Sequence, residues 1–231
     1  WEDLELLKQT IGPNTAGIVL EPVQGEGGIR SVSAGFMREV KSLCEEHGLL
    51  LMLDEVQCGI GRTGKLFAHM HSGVEPDVMA LAKGLGGGFP VGACLTTEAV
   101  GKAMVVGTHG STFGGNPLAM AVSNAVMDLL LEPGQLNEVV RKADYFRKHL
   151  QRLVEHFPKV VLSVHGLGLM VGLKCKVPNT DMLNKLREKK LVVGTSGANM
   201  IRLLPPLNVS DEHLANALGI IEEALQEFHD A

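Results

Sequence analysis

Asp54 and Lys83 each close a short, wholly apolar run: Leu49-Leu50-Leu51-Met52-Leu53 before the aspartate and Val78-Met79-Ala80-Leu81-Ala82 before the lysine. Runs apolar on both faces predict central strands of a covered parallel sheet, and ligands of such sheets gather outside the carboxyl ends of the strands. A carboxylate and an amine brought to one rim are what pyridoxal phosphate chemistry requires. The lysine attaches the aldehyde, and the aspartate keeps the pyridine nitrogen protonated so that the ring accepts electrons. The pair by itself is also compatible with a buried ion pair or with two unrelated strand ends.

Other residues offer chemistry of their own. Gly59-Ile60-Gly61-Arg62-Thr63-Gly64 follows a strand and has the GxGxxG spacing, and Lys65 brings it close to a P-loop. Leu66 stands where a P-loop needs Ser or Thr, and Asp54-Glu55 would repel a pyrophosphate at a dinucleotide turn, so neither nucleotide reading holds. Ser111-Thr112, ahead of Phe113-Gly114-Gly115-Asn116-Pro117, offers hydroxyls near a helix start, which suits a phosphate cradle or an ordinary loop leading into a helix. Arg202 lies between apolar residues and must have its charge matched, by a structural carboxylate or by an anionic ligand.

Five segments occur in order: EPVQGEGGIR from Glu21, DEVQCGIGRTG from Asp54, LAKGLGGGFPVGA from Leu81, HGSTFGGNPLA from His109 and MIRLLPPL from Met200. Together they resemble the class III (omega-amino) aminotransferases of fold type I, closest to the acetylornithine aminotransferase group, over essentially the whole chain. The resemblance implies pyridoxal 5'-phosphate as cofactor, with Lys83 as its attachment point and proton carrier and Asp54 on its ring nitrogen. It implies Val56 against the ring and Gln57 on the phenolic oxygen. Glu55, in the same segment, is placed among the cofactor contacts, although strand alternation turns it to the other side in a structural role. Thr112 is implied to hold the cofactor phosphate of a neighbouring subunit and Ser111 to lie beside the substrate, which demands a homodimer. Arg202 is implied to take the α-carboxylate of glutamate or 2-oxoglutarate. Glu26 is implied to neutralise that arginine when the amine donor occupies the site. Glu21 has no assigned role.

The implied reaction moves the terminal amine of N-acetylornithine to 2-oxoglutarate. Ornithine, succinylornithine, 4-aminobutyrate and succinyl-diaminopimelate are alternative donors. A mutase or decarboxylase on the same scaffold, or an inactive dimerising fragment, remains a rival. The chain opens at Trp1 without an initiator Met. Against the family it is expected to lack the N-terminal part, with its phosphate-binding turn and ring-stacking aromatic.

The elements that must carry these residues read as α/β. A helix over Asp3–Gln9 ends at Gly12-Pro13, a strand covers Ala16–Glu21, and a helix over Gly35–His47 stops at Gly48. Strands close at Asp54 and span Asp77–Ala82 and Val91–Thr96. Pro117–Leu131 is apolar almost all round and predicts a buried helix. An amphipathic helix over Leu136–His156 leads to strands at Val160–Val164, Leu169–Lys174, Leu191–Val193 and Met200–Leu203. Two helices, near Thr180–Lys190 and Ser210–His229, complete the pattern. The expected organisation is the C-terminal half of a large, mostly parallel-sheet domain over 1–133 and a small α+β domain over 134–231.

Composition narrows the class without naming it. A chain of 231 residues with a formal charge of −5 shows no basic cluster, which argues against a nucleic-acid footprint. Its four cysteines form no CxxC pair, and its nine histidines show no metal-ligand spacing. No run approaches the ~18 apolar residues of a membrane span. A reducing, cytoplasmic setting is the expectation.

Overall fold

The computed structural model describes residues 1–230, which divide into two compact units. The first comprises residues 1–22, 32–60 and 65–133, and the second 23–31, 61–64 and 134–231. Two loop segments, 23–31 and 61–64, therefore lie with the second unit although they precede Pro133 in the chain. A boundary read along the sequence cannot register such excursions.

In the first unit, α1 (Leu4–Thr10) is capped by Asp3, whose carboxylate accepts from the Leu6 amide at 2.9 Å. Strand β1 (Gly17–Leu20), helix α2 (Ala34–His47) and strand β2 (Leu50–Asp54) form a β-α-β unit. Ser33 caps α2, and Gly48 ends it in the left-handed conformation at φ +67°. Strand β3 (Val78–Leu81) lies parallel to β2, and β4 (Ala93–Thr96) closes the sheet antiparallel, in the order β1-β2-β3-β4. A short helix α3 (Glu98–Gly101) and the long α4 (Pro117–Leu131) complete this unit.

Two expectations need correction here. The strands are parallel as read, but they are not covered on both faces. Leu51 and Leu53 of β2 join Met37, Val40 and Cys44 of α2 in one core, while alternate residues on β2 are only half-buried and Val19 of β1 is 68 % exposed. Nor is α4 a buried helix: Ala119, Ser123 and Leu130 are buried, whereas Leu118, Leu129 and Leu131 are exposed. A helix apolar all round buries every face only when neighbours surround it; here one face is packed.

The regular elements of the second unit start with α5 (Gln135–His156), followed by an antiparallel pair, β5 (Val161–Leu167) and β6 (Met170–Cys175). Helix α6 (Asn179–Glu188), strands β7 (Gly194–Ser196) and β8 (Met200–Leu203), and helix α7 (Asp211–Asp230) follow, with strand order β5-β6-β8-β7. Phe146 and Leu150 of α5, Met182 and Leu186 of α6, and Ile221 and Leu225 of α7 close over Val171, Leu173 and Ile201 of the sheet. The strand expected at Leu191–Val193 falls at Gly194–Ser196 instead. The Leu191 amide donates to the Leu186 carbonyl at 2.9 Å, so Leu191 still belongs to the end of α6. Leu191 and Val193 use their apolar side chains to pack on the core rather than to build a ladder. Among the described residues no helix is long and apolar enough to cross a membrane.

Candidate active site

Asp54 is the last residue of β2 and pairs in register with Ala80 of β3. The next amide, that of Glu55, donates to the Ala80 carbonyl at 3.0 Å and carries the ladder one step further. Lys83 follows the end of β3 by two residues. Adjacent parallel strands thus deliver the carboxylate and the amine to the same edge of one sheet. The Asp54 Oδ1 accepts from the Val56 amide at 2.9 Å, which fixes the carboxylate against its own turn.

Lys83 opens a 3₁₀ turn, Lys83–Gly86, with φ at +43°. A non-glycine residue in the left-handed region carries local strain, and such residues concentrate at functional sites. The turn is moulded to its surroundings. A Cβ on Gly86 would stand 2.8 Å from a Val91 methyl, and one on Gly87, at φ +55°, would stand 2.9 Å from a Val126 methyl. The lysine side chain itself is exposed. An exposed amine on a constrained backbone suits a group that must first hold a ligand and then move a proton.

Val56 and Gln57 are half-buried in the turn after β2, which closes through the Gly59 amide on the Glu55 carbonyl at 2.8 Å. Glu55 departs from its expected place among the cofactor contacts. It is fully buried, and its carboxylate accepts from the Ala68 amide at 2.6 Å and the His69 amide at 2.8 Å and meets His69 Nδ1 at 2.7 Å. Strand alternation turns it away from Asp54, and its role is to anchor the 68–71 turn beneath the rim.

Ser111 and Thr112 are both exposed in the irregular stretch before α4. Ser111 lines an open hollow of about 350 Å³ with Val91, Gly92, Phe113 and Asn116, and neither Asp54 nor Lys83 reaches it. The start of α4 is capped by Asn116, whose Oδ1 accepts from the Ala119 amide at 2.9 Å. Thr112 precedes that cap by four residues and is exposed.

The second unit carries the other expected pair. Arg202 of β8 is bonded through Nη1 to the Glu26 carboxylate and, at 3.2 Å, to the Gly25 carbonyl. The arginine side chain is 18 % exposed and the glutamate 74 %, so a largely covered cation is matched by a carboxylate free to leave into solvent. Arg62, which the sequence shows only as a variable position of the Gly59–Gly64 motif, has a structural task of its own. Its Nη1 donates to the carbonyls of Leu169 at 3.3 Å and Pro205 at 2.5 Å, and burial pushes the guanidinium down to about 10. Arg62 thereby ties the 61–64 segment to the chain leaving β8. The only signal for it in the sequence was an arginine between glycines.

Comparison with known proteins identifies the family. The family model for class-III aminotransferases matches residues 1–225. An acetylornithine aminotransferase of Mesorhizobium japonicum is 53% identical over 231 residues, covering 100% of this chain and 58% of that protein. One from Brucella melitensis is 51% identical over 224 residues, 97% of this chain and 56% of the relative. The chain therefore spans somewhat under three fifths of the curated relatives it matches. Among solved structures, an acetylornithine aminotransferase from Elizabethkingia anophelis aligns with a TM-score of 0.90 at 34% identity, covering 99% of this chain and 59% of that one. An ornithine delta-aminotransferase of Plasmodium falciparum aligns at 0.92 and 36% identity, covering 100% and 61%. Members of this class work with pyridoxal phosphate, and a carboxylate and an amine at adjacent strand ends are the donor set that such a group needs. The chain belongs to the class-III aminotransferases.

Proposed function

We propose that the complete protein is a pyridoxal phosphate-dependent acetylornithine aminotransferase. It would convert N-acetylornithine and 2-oxoglutarate into N-acetylglutamate 5-semialdehyde and glutamate, a step of arginine biosynthesis. The observation that carries the reaction class is the delivery of Asp54 and Lys83 by neighbouring parallel strands. The donor rests on the Mesorhizobium and Brucella relatives, both named for acetylornithine at about half identity.

When bound, the cofactor supplies an aldehyde that takes up amines and a ring that accepts the electrons of the broken C–H bond. Asp54 holds the proton on the ring nitrogen, and its own bond to the Val56 amide keeps the carboxylate aimed. Val56 would lie against the ring, and Gln57 would bond the phenolic oxygen. Lys83 Nζ would hold the cofactor and, once released, would be the base that takes up and returns the proton of the substrate carbon. Thr112 contributes its hydroxyl to the phosphate bound by a second copy, which its exposure supports, and Ser111 lies beside the substrate. Arg202 binds the α-carboxylate of glutamate or 2-oxoglutarate in a forked geometry. Glu26 covers that arginine while the amine donor is bound and leaves it for the keto acid. The active assembly on this reading is a cytoplasmic homodimer.

The test is the visible absorbance of the complete protein with pyridoxal phosphate, before and after each candidate amine. The expected result is a band that bleaches much faster with N-acetylornithine than with ornithine or 4-aminobutyrate. Bleaching by another amine alone would keep the mechanism and discard the substrate. Borohydride reduction followed by peptide mass analysis should find the cofactor on Lys83, and Lys83→Ala should lose the adduct with the fold intact. An adduct on a different lysine would reject the assignment.

A further inference from the structure

The Glu26 carboxylate stands on a short loop, residues 25–28, and a single buried hydroxyl holds both ends of it. Ser196, the last residue of β7 and 7 % exposed, donates from Oγ to the Gly25 carbonyl at 2.9 Å. The same oxygen accepts from the Gly28 amide at 2.9 Å. Between these two bonds, the Gly197 amide donates to the Glu26 carbonyl at 2.9 Å. The contact is close enough that a Cβ on Gly197 would stand 2.9 Å from that carbonyl. Gly194, two residues before Ser196, pairs in register with Arg202, and a Cβ built on it would stand 3.3 Å from the Arg202 Nε. One three-residue strand therefore lies beside the arginine at one end and pins the glutamate loop at the other.

We propose that Ser196 is a positioning residue for substrate discrimination. It fixes the backbone on either side of Glu26, so that only the side chain moves when Arg202 must be uncovered. The inference rests on the reading of Glu26 and Arg202 given above. Two substrates of different shape must use the site in turn, and the choice between them depends on how well the carboxylate returns to the guanidinium. A loop held at Gly25, Glu26 and Gly28 returns the carboxylate to one place. Without the hydroxyl, the Gly25 carbonyl and the Gly28 amide each lose a partner, the loop spreads over several positions, and the covered state of Arg202 is less populated. The amine donor, which needs Arg202 covered, then suffers. The keto acid, which needs it open, does not.

The experiment uses the complete holoenzyme and measures KM for N-acetylornithine and for 2-oxoglutarate in separate half-reactions, together with thermal stability. In Ser196→Ala the KM for N-acetylornithine should rise roughly fivefold, the size expected for a lost neutral hydrogen bond, with KM for 2-oxoglutarate unchanged or lower. Equal rises in both values, or an unchanged ratio, would overturn the proposal. If Ser196→Ala does not fold, Gly197→Ala carries the same test, because its new methyl presses on the Glu26 carbonyl and should move the ratio in the same direction. Glu26→Gln separates the levels. If it leaves the ratio unchanged, the reading of the Glu26–Arg202 pair fails. If it shifts the ratio while the folded Ser196 and Gly197 variants do not, only the role of Ser196 fails.

Discussion

Single residues of this protein take their chemistry either from the strand end that carries them or from a neighbour distant in the chain. Asp54 and Lys83 terminate apolar runs, a one-dimensional signal that survives without any knowledge of packing. Arg62 and Ser196 carry no such mark, because the groups they bond are distant in sequence. His165 is a third case. Its Nε2 lies 2.7 Å from the Ser163 hydroxyl, and burial followed by the charges of Lys174, Arg30 and Arg147 holds its pKa below the usual 6.5. Below pH 6.5 the unfolded chain therefore takes up the proton more readily than the folded one, and stability falls as pH drops from there through the lowered folded value. The expected outcome is a melting temperature that declines between pH 7.5 and pH 5, with a smaller decline in His165→Gln. Identical pH slopes in the two proteins would mean that His165 does not contribute.

Elements were legible where hydrophobic period and caps agree and shifted where an apolar residue had another use. Helices α2 and α5 match their expected bounds to within one residue, because Gly48 stops the first and an amphipathic period marks the second. Strand β7 slid by three residues because Leu191 and Val193 serve the core. The turn carrying Lys83 shows a fit that no periodicity announces. Gly87 sits at φ +55° with Val126 of α4 against it, so an added methyl meets both a strained backbone and a neighbouring side chain. Gly87→Ala should cost about 1–3 kcal/mol in the complete protein, combining the left-handed penalty with overpacking. Val126→Ala in the same chain removes the clash but not the backbone strain, so it should recover part of that loss. Denaturant titration of both single variants and the double variant gives the coupling energy. A coupling of zero would show that the turn moves away from α4 at no cost.

For the molecule as a whole, the apolar surface of the first unit is the informative quantity. Leu118, Leu129 and Leu131 of α4, and Val105, Val106 and Phe113 in the chain leading into it, are all exposed, and Val106 is fully so. Single apolar residues on a surface need no explanation, but this many exposed in one stretch of chain, 105–131, is what a segment covered in an assembly shows. The sequence could state only that α4 was apolar, since what covers a helix is a property of the assembled protein. The chain spans 58% of the length of its Mesorhizobium relative, and on the proposed reading Thr112 serves a second copy. Both considerations predict that these 231 residues expressed alone bind pyridoxal phosphate far more weakly than the complete protein, although Asp54 and Lys83 are present. They also predict concentration-dependent self-association through the exposed stripe of α4, which Leu118→Lys with Leu129→Glu should reduce. Sedimentation velocity over a range of concentrations measures the association, and cofactor titration monitored by absorbance measures the binding. Tight stoichiometric binding by a monomeric chain would show that Lys83, Asp54 and their immediate neighbours complete the site unaided, and Thr112 would then lose its proposed role across the subunit boundary.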